Sequence, residues 1–288
     1  MASIPNGGES TRSEAAPIPF RILDLPSEVL SNICEHLEDA DLPQVRRGCR
    51  ALRAHSTTFF GKRFFSHLAA ILHPTSLTTL LEIARHKVLA KYVRQVSLSG
   101  ELLGVHIVPD HDDEAHIQLH MDLQKSVEES GLDRIILREV FRSLGNLRLV
   151  RIDSHSFAAF HLYEEYCNPI KCGRHHILGG DSSQTYTNVR ENLGFSRVYQ
   201  LVLRALHSVG LHSEVNLSLV FCNTQDGTTP HFIDVTSRAW IHGFSKTLRA
   251  VFYYGSMNVN WVRELLSSAS DVHDLGLAEQ ASLVRLSS

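Results

Sequence analysis

Hydrophobic and polar positions along the chain fall into three regimes. Before residue 18 there is a single Ile among Ser, Gly, Pro and Glu, a composition that cannot bury enough surface to offset its ordering entropy. From Phe20 to Phe65 the apolar positions recur at helical spacing. Val29, Leu30, Ile33, Cys34 and Leu37 fall on one predicted helix face, with Pro26 where that helix begins and Glu28 in its first turn. Asp41 suits the cap of a second helix carrying Leu42, Val45, Cys49 and Leu52, with Pro43 in its first turn. Gly48 costs roughly 1 kcal/mol in a helix interior and marks a break between two short helices. Phe59, Phe60, Phe64 and Phe65 close the module.

Beyond Phe65 the period changes. An apolar-x-x-apolar-x-apolar run predicts strands at Val93 to Leu98, Leu147 to Ile152, Glu214 to Leu219, Leu248 to Tyr253 and Val272 to Leu277. Each follows a helical stretch: Ser76 to Lys91, Leu132 to Leu144, Arg197 to Val209, Arg238 to Lys246 and Asn260 to Ser268. Helix then strand, five times over, is the grammar of a solenoid whose units bury their apolar faces against one another. The spacing is irregular, because inserts of about 100–131 and 153–196 separate the early units. Residues 281 to 288, with Leu283, Val284 and Leu286, add a last strand. The fold class expected is α/β: a small all-α module followed by an irregular, leucine-rich-repeat-like α/β solenoid.

Composition narrows the function. Net charge is −3, with no basic excess to attract nucleic acid or an anionic membrane. No stretch of about 18 apolar residues spans a bilayer. Five cysteines, an odd and scattered set, argue against a disulfide framework and for a reducing compartment, cytoplasmic or nuclear. The segment His111-Asp112-Asp113-Glu114-Ala115-His116, with His106 and His120 nearby, reads as a solvated acidic loop, since it lacks the H-E-x-x-H pattern of a zinc site. Cys167, Cys172, His175 and His176 have zinc-like letters but no second ligand pair; Cys222 lies 50 residues on. No G-x-S-x-G elbow or phosphate-cradling G-x-x-x-x-G-K occurs. No catalytic residue, metal or cofactor is expected. Arg46, Arg47, Arg50 and Arg53 read as a solvated helix face with Glu38, Asp39 and Asp41 beside it.

Leu25-Pro26-x-Glu28-Val29-Leu30-x-x-Ile33-x-x-x-Leu37, then Asp41-Leu42, then Arg46-x-x-Cys49-Arg50-x-Leu52, resembles the F-box in order and spacing, with Pro43 and Gly48 as departures. The later helix-then-Tyr92-Val93-Arg94 region is similar, more diffusely, to the C-terminal half of many fungal F-box proteins. The resemblance implies a domain at 19–66 that binds a Skp-family adaptor through Leu25, Pro26, Val29, Leu30, Ile33, Leu37, Leu42, Val45, Arg46, Cys49 and Leu52. Through that adaptor it would join a cullin–RING ubiquitin ligase, while residues 67–288 hold a protein target. A module this small leaves part of its apolar face for a partner. Two other readings stand beside it: an adaptor partner outside any ligase, and a metal-binding protein using the histidine-rich inserts.

Overall fold

The computed structural model describes residues 21–100, 114–153, 170–172, 191–211, 215–222, 248–254, 263, 267, 274–279 and 282–286. The chain divides into two compact units, Met1–Phe60 and Gly61–Ser288.

The first unit is helical. A short 3-10 helix, Ile22–Asp24, leads to α1 (Ser27–His36), α2 (Asp41–Gly48) and α3 (Arg50–Phe64), whose last turn lies past the division. Pro26 occupies the N-cap of α1 in extended geometry, so the ring that cannot donate costs no hydrogen bond. Gly48 does end α2: Cys49 is extended (φ −159°, ψ 170°), and α3 starts one residue later. The Cys49 carbonyl accepts from Arg53 N at 3.0 Å and its Sγ from Leu52 N at 3.5 Å, so Cys49 caps the new helix.

The second unit is built on an eight-stranded sheet. Its elements are β1 (His67–Ile71), α4 (Pro74–Arg85), β2 (Gln95–Ser99), α5 (Glu114–Ser130), α6 (Leu132–Ser143), β3 (Leu149–Asp153), β4 (Ile170–Lys171), α7 (Glu191–Ser208), β5 (Asn216–Cys222), β6 (Leu248–Tyr254), β7 (Asp274–Glu279) and β8 (Ser282–Leu286). The strand order is β4-β1-β2-β3-β5-β6-β7-β8, and every pairing but the last is parallel. Parallel neighbours need a crossover, and α4, α5 with α6, and α7 provide the first three. The five expected strands lie within a few residues of their predicted places. The last strand expected at residues 281–288 is β8, which turns back on β7, and two further strands join the sheet: β1, and β4 from the second insert.

Register explains the core. Leu68, Val96, Val150 and Leu217 stand in one row, and Ala70, Leu98, Ile152 and Leu219 in another two residues on. These rows are buried in one apolar cluster with Leu77 and Leu80 of α4, Val127 of α5, Leu137, Val140 and Phe141 of α6, and Val198 and Val202 of α7. These four helices therefore pack against a single face of the sheet.

The intervening rows, on the opposite face, are largely polar. They carry His67 and Gln95, then Ser97, Arg151 and Ser218, then Ser99 and Asp153. Ser97, Ser99 and Asp153 are nonetheless buried. Ser97 and Asp153 are bonded side chain to side chain: His67 Nε2 lies 2.7 Å from Ser97 Oγ and 3.1 Å from the Gln95 amide, and Arg151 Nη2 donates to Asp153 at 3.1 Å.

Two expectations change. Residues 114–116, read as part of an acidic loop, form the first turn of α5, because the first insert contains a helix of 17 residues. The helix expected from Arg197 begins at Glu191. The helix at Arg238 to Lys246 lies outside the described residues, as does most of that at Asn260 to Ser268. No described helix is long and apolar enough to cross a membrane.

Candidate adaptor interface

The helical unit sorts its apolar residues by helix face. On α1, Leu30 and Cys34 are one turn apart and buried. Val29 and Ile33, also one turn apart, are 42% and 36% exposed. Just upstream, Ile22 and Leu23 of the 3-10 helix are 41% and 50% exposed. Four large aliphatic side chains thus face solvent within twelve residues of sequence, a concentration typical of an interaction surface.

The contact set read from the sequence falls on both sides of this sorting. Leu30 and Leu42 are 3% and 0% exposed, interior residues of the helical unit. One apolar face was expected on α1, whereas the structure divides it into a buried stripe and an exposed one. Pro26 is exposed, while Leu25, Leu37, Val45, Cys49 and Leu52 are half-buried. The exposure of Ile22 and Leu23 was not read from the sequence; the available signal was two consecutive aliphatics just ahead of Leu25-Pro26, which no helical period connects to α1.

Arg46 is occupied within the unit. Its guanidinium lies 4.0 Å from the centroid of the Phe60 ring and donates to Thr57 Oγ1 at 3.1 Å, Ser56 Oγ at 3.4 Å and the Arg53 carbonyl at 3.3 Å. Arg53 Nε answers by donating to the Arg46 carbonyl at 3.3 Å. A planar cation with a fork of donors can stack and hydrogen-bond at once, so Arg46 clamps α2 to α3 across the break at Cys49. The burial of Cys34 raises its thiol pKa, which keeps that residue protonated and inert in the interior.

The metal-like constellations do not assemble among the described residues, which contain no group of three or more His, Cys, Asp or Glu able to hold an ion. Cys172 is packed in the apolar cluster, its thiol pushed up to about 12 by burial. His120 pairs with His73, Nδ1 to Nε2, at 3.1 Å. His106, His111, Asp112, Asp113, Cys167, His175 and His176 lie outside the described residues, as do the side chains of Glu114, His116 and Cys222.

No curated protein matches the chain. Residues 22–62 match the family model of the F-box domain, a span that begins at the exposed Ile22 and runs through all three helices to the last turn of α3. With this match, residues 22–62 of the N-terminal helical region carry an F-box domain.

Proposed function

We propose that this protein is the substrate-recognition subunit of a Skp–cullin–F-box ubiquitin ligase. The reading rests on the F-box match together with the exposed aliphatic stripe that the same residues carry. F-box domains bind Skp-type adaptors, and F-box proteins are generally non-catalytic. In this reading residues 19–66 dock the adaptor and residues 67–288, a leucine-rich-repeat-like array, present a target protein. Val29, Ile33, Ile22 and Leu23 form the apolar centre of the contact, with Leu25, Pro26, Leu37, Val45, Cys49 and Leu52 around it. Leu30, Leu42 and Arg46 hold the helices that display them. Catalysis then comes from proximity: the receptor raises the effective concentration of a target lysine near a ubiquitin-loaded enzyme, and this chain supplies no acid, base or nucleophile.

The test is binding of the purified chain to a Skp-family adaptor, beside a Val29→Glu, Ile33→Glu variant. Both positions are already exposed, so the variant keeps its fold, while two charges buried in an apolar contact cost several kcal/mol and weaken binding by at least about 100-fold. Equal binding by the folded variant, or no binding by the wild type, would sink the proposal. Recovery of the adaptor without a cullin would instead favour a role outside the ligase.

A further inference from the structure

Helix α5 presents its leucines to solvent. Its buried positions are His120, Gln124 and Val127, whereas Leu119 and Leu123, one turn apart, are 55% and 37% exposed. Single exposed aliphatics are ordinary on a protein surface; a helix that buries a histidine and a glutamine and turns two leucines outward is not. The next helix continues the pattern. At the start of α6, Leu132 and Ile135 are 41% and 48% exposed. These four side chains stand on two helices joined by a single residue, Gly131.

The charges beside them are self-complementary. On α5, Glu128 is held by Arg197 and Glu129 by Lys125, which leaves Asp122 as the carboxylate without an ion pair among the described side chains. Gln118 donates to Asp122 at 2.9 Å but brings no charge. On α6, Asp133 is held by Arg197, and Arg138 and Arg142 share Glu139, which leaves the side chain of Arg134. Arg134 lies in the first turn of α6, where the helix dipole disfavours a cation, so its own helix gives no reason for the charge. Asp122 adjoins Leu123 in sequence, and Arg134 adjoins Ile135.

This pattern selects the occupant. A partner surface of one sign would satisfy Asp122 or Arg134 but not both. A second copy of the same surface, turned about a two-fold axis, satisfies each of them twice. The acid of one α5 meets the base of the facing α6, and the leucines of α5 meet Leu132 and Ile135.

The surface is built before a second copy arrives. Arg197 of α7 reaches both Glu128 of α5, at 2.6 Å, and Asp133 of α6, so association does not have to order the two helices. Four aliphatic side chains are few beside an interface that buries about 800 Å² per partner, so the dimer expected is reversible at micromolar concentration.

We infer that α5 and the first turn of α6 form the contact of a two-fold symmetric dimer of this chain. The contact lies wholly within the second unit and does not rest on the receptor reading. A dimer carries two F-box domains and two copies of the second unit, so a partner with two binding sites gains avidity without any new contact.

The test is sedimentation velocity of the full chain over a series from low to high micromolar concentration. The wild type is expected to pass from monomer to dimer. Asp122→Lys and Arg134→Glu, each alone, should raise the dissociation constant at least about tenfold, because each sets like charges against one another twice across the axis. Mixing the two single variants should restore the dimer, since each supplies the charge that the other lacks. Leu119→Ser with Ile135→Ser should abolish association and leave the urea midpoint unchanged, both positions being exposed. A wild type that stays monomeric throughout, a dimer indifferent to these substitutions, or single variants that fail to associate when mixed would each overturn the inference. So would loss of adaptor binding in the folded Leu119→Ser, Ile135→Ser variant, which would assign this surface to the adaptor instead.

Discussion

Val29 and Leu30 are neighbours in sequence with opposite fates, one exposed and one buried. A similar division of labour is visible at His73. Its ring is fully buried at the N-cap of α4, where Nδ1 accepts from Thr75 N at 3.2 Å while Nε2 faces His120 Nδ1 at 3.1 Å. Accepting at Nδ1 places the His73 proton on Nε2, which then donates to His120. An added proton on His73 Nδ1 breaks the cap, and one on His120 Nδ1 opposes two N–H groups, so only the neutral pair satisfies both contacts. Burial first, and then repulsion from a charged His120, lower the His73 pKa from 6.5 to about 4. Because the folded value is the lower one, the unfolded chain takes up the proton first. The contribution is complete above pH 6.5 and is lost as pH falls towards about 4, by roughly 3 kcal/mol in all. Urea midpoints at pH 7.5 and 4.5 check this. His73→Asn keeps a capping oxygen but cannot titrate, and it should lose clearly less stability than the wild type over that interval. An equal loss would rule the mechanism out.

Elements in the second unit are joined by polar contacts as well as by their apolar stripes. Gly131, with φ 67°, supplies the left-handed turn between α5 and α6. Beyond it Asp133, only 1% exposed, receives a charge-assisted hydrogen bond from Arg197 of α7, and Arg197 also donates to Glu128 of α5 at 2.6 Å. One guanidinium therefore ties three helices to one another. Removing it strands a buried carboxylate, which costs about 3–5 kcal/mol, whereas replacing both partners with apolar residues is far milder. Arg197→Met should lower stability by that amount in denaturant unfolding, and adding Asp133→Leu should restore most of it. A double variant no more stable than the single one would show that packing, rather than the stranded charge, sets the cost. The break between α2 and α3 is bridged in the same manner by Arg46, which the sequence motif marks as a site residue and the structure employs as a clamp.

At the scale of the molecule, the parallel sheet sets the hierarchy of stability. β2 and β3 have hydrogen-bonded neighbours on both sides and one face in the apolar cluster, whereas β4 and β8 have one neighbour each. Native-state hydrogen exchange should therefore be slowest at Val96 to Ser99 and Val150 to Asp153, and faster by at least about tenfold in β8. Protection of β8 equal to that of β3 would contradict this ordering.

What could be read from the chain itself was local. The F-box residues from Leu25 to Leu52, the helix break at Gly48 and the five main strands all announce themselves through spacing, since the chemistry of a cap, a glycine or an apolar period acts over a few residues. β1 escaped notice because Leu68-Ala69-Ala70-Ile71-Leu72 is apolar throughout, and such a run does not distinguish strand from helix. β4 is two residues long, too short to have a period at all. Only the tertiary structure decided that β4 pairs with β1, that Leu30 is interior while Val29 is not, and that His73 meets His120 across 47 residues. Each of these depends on which surfaces come together. Apolar periodicity says that a face must be buried; complementarity of shape and polarity between distant segments decides against what.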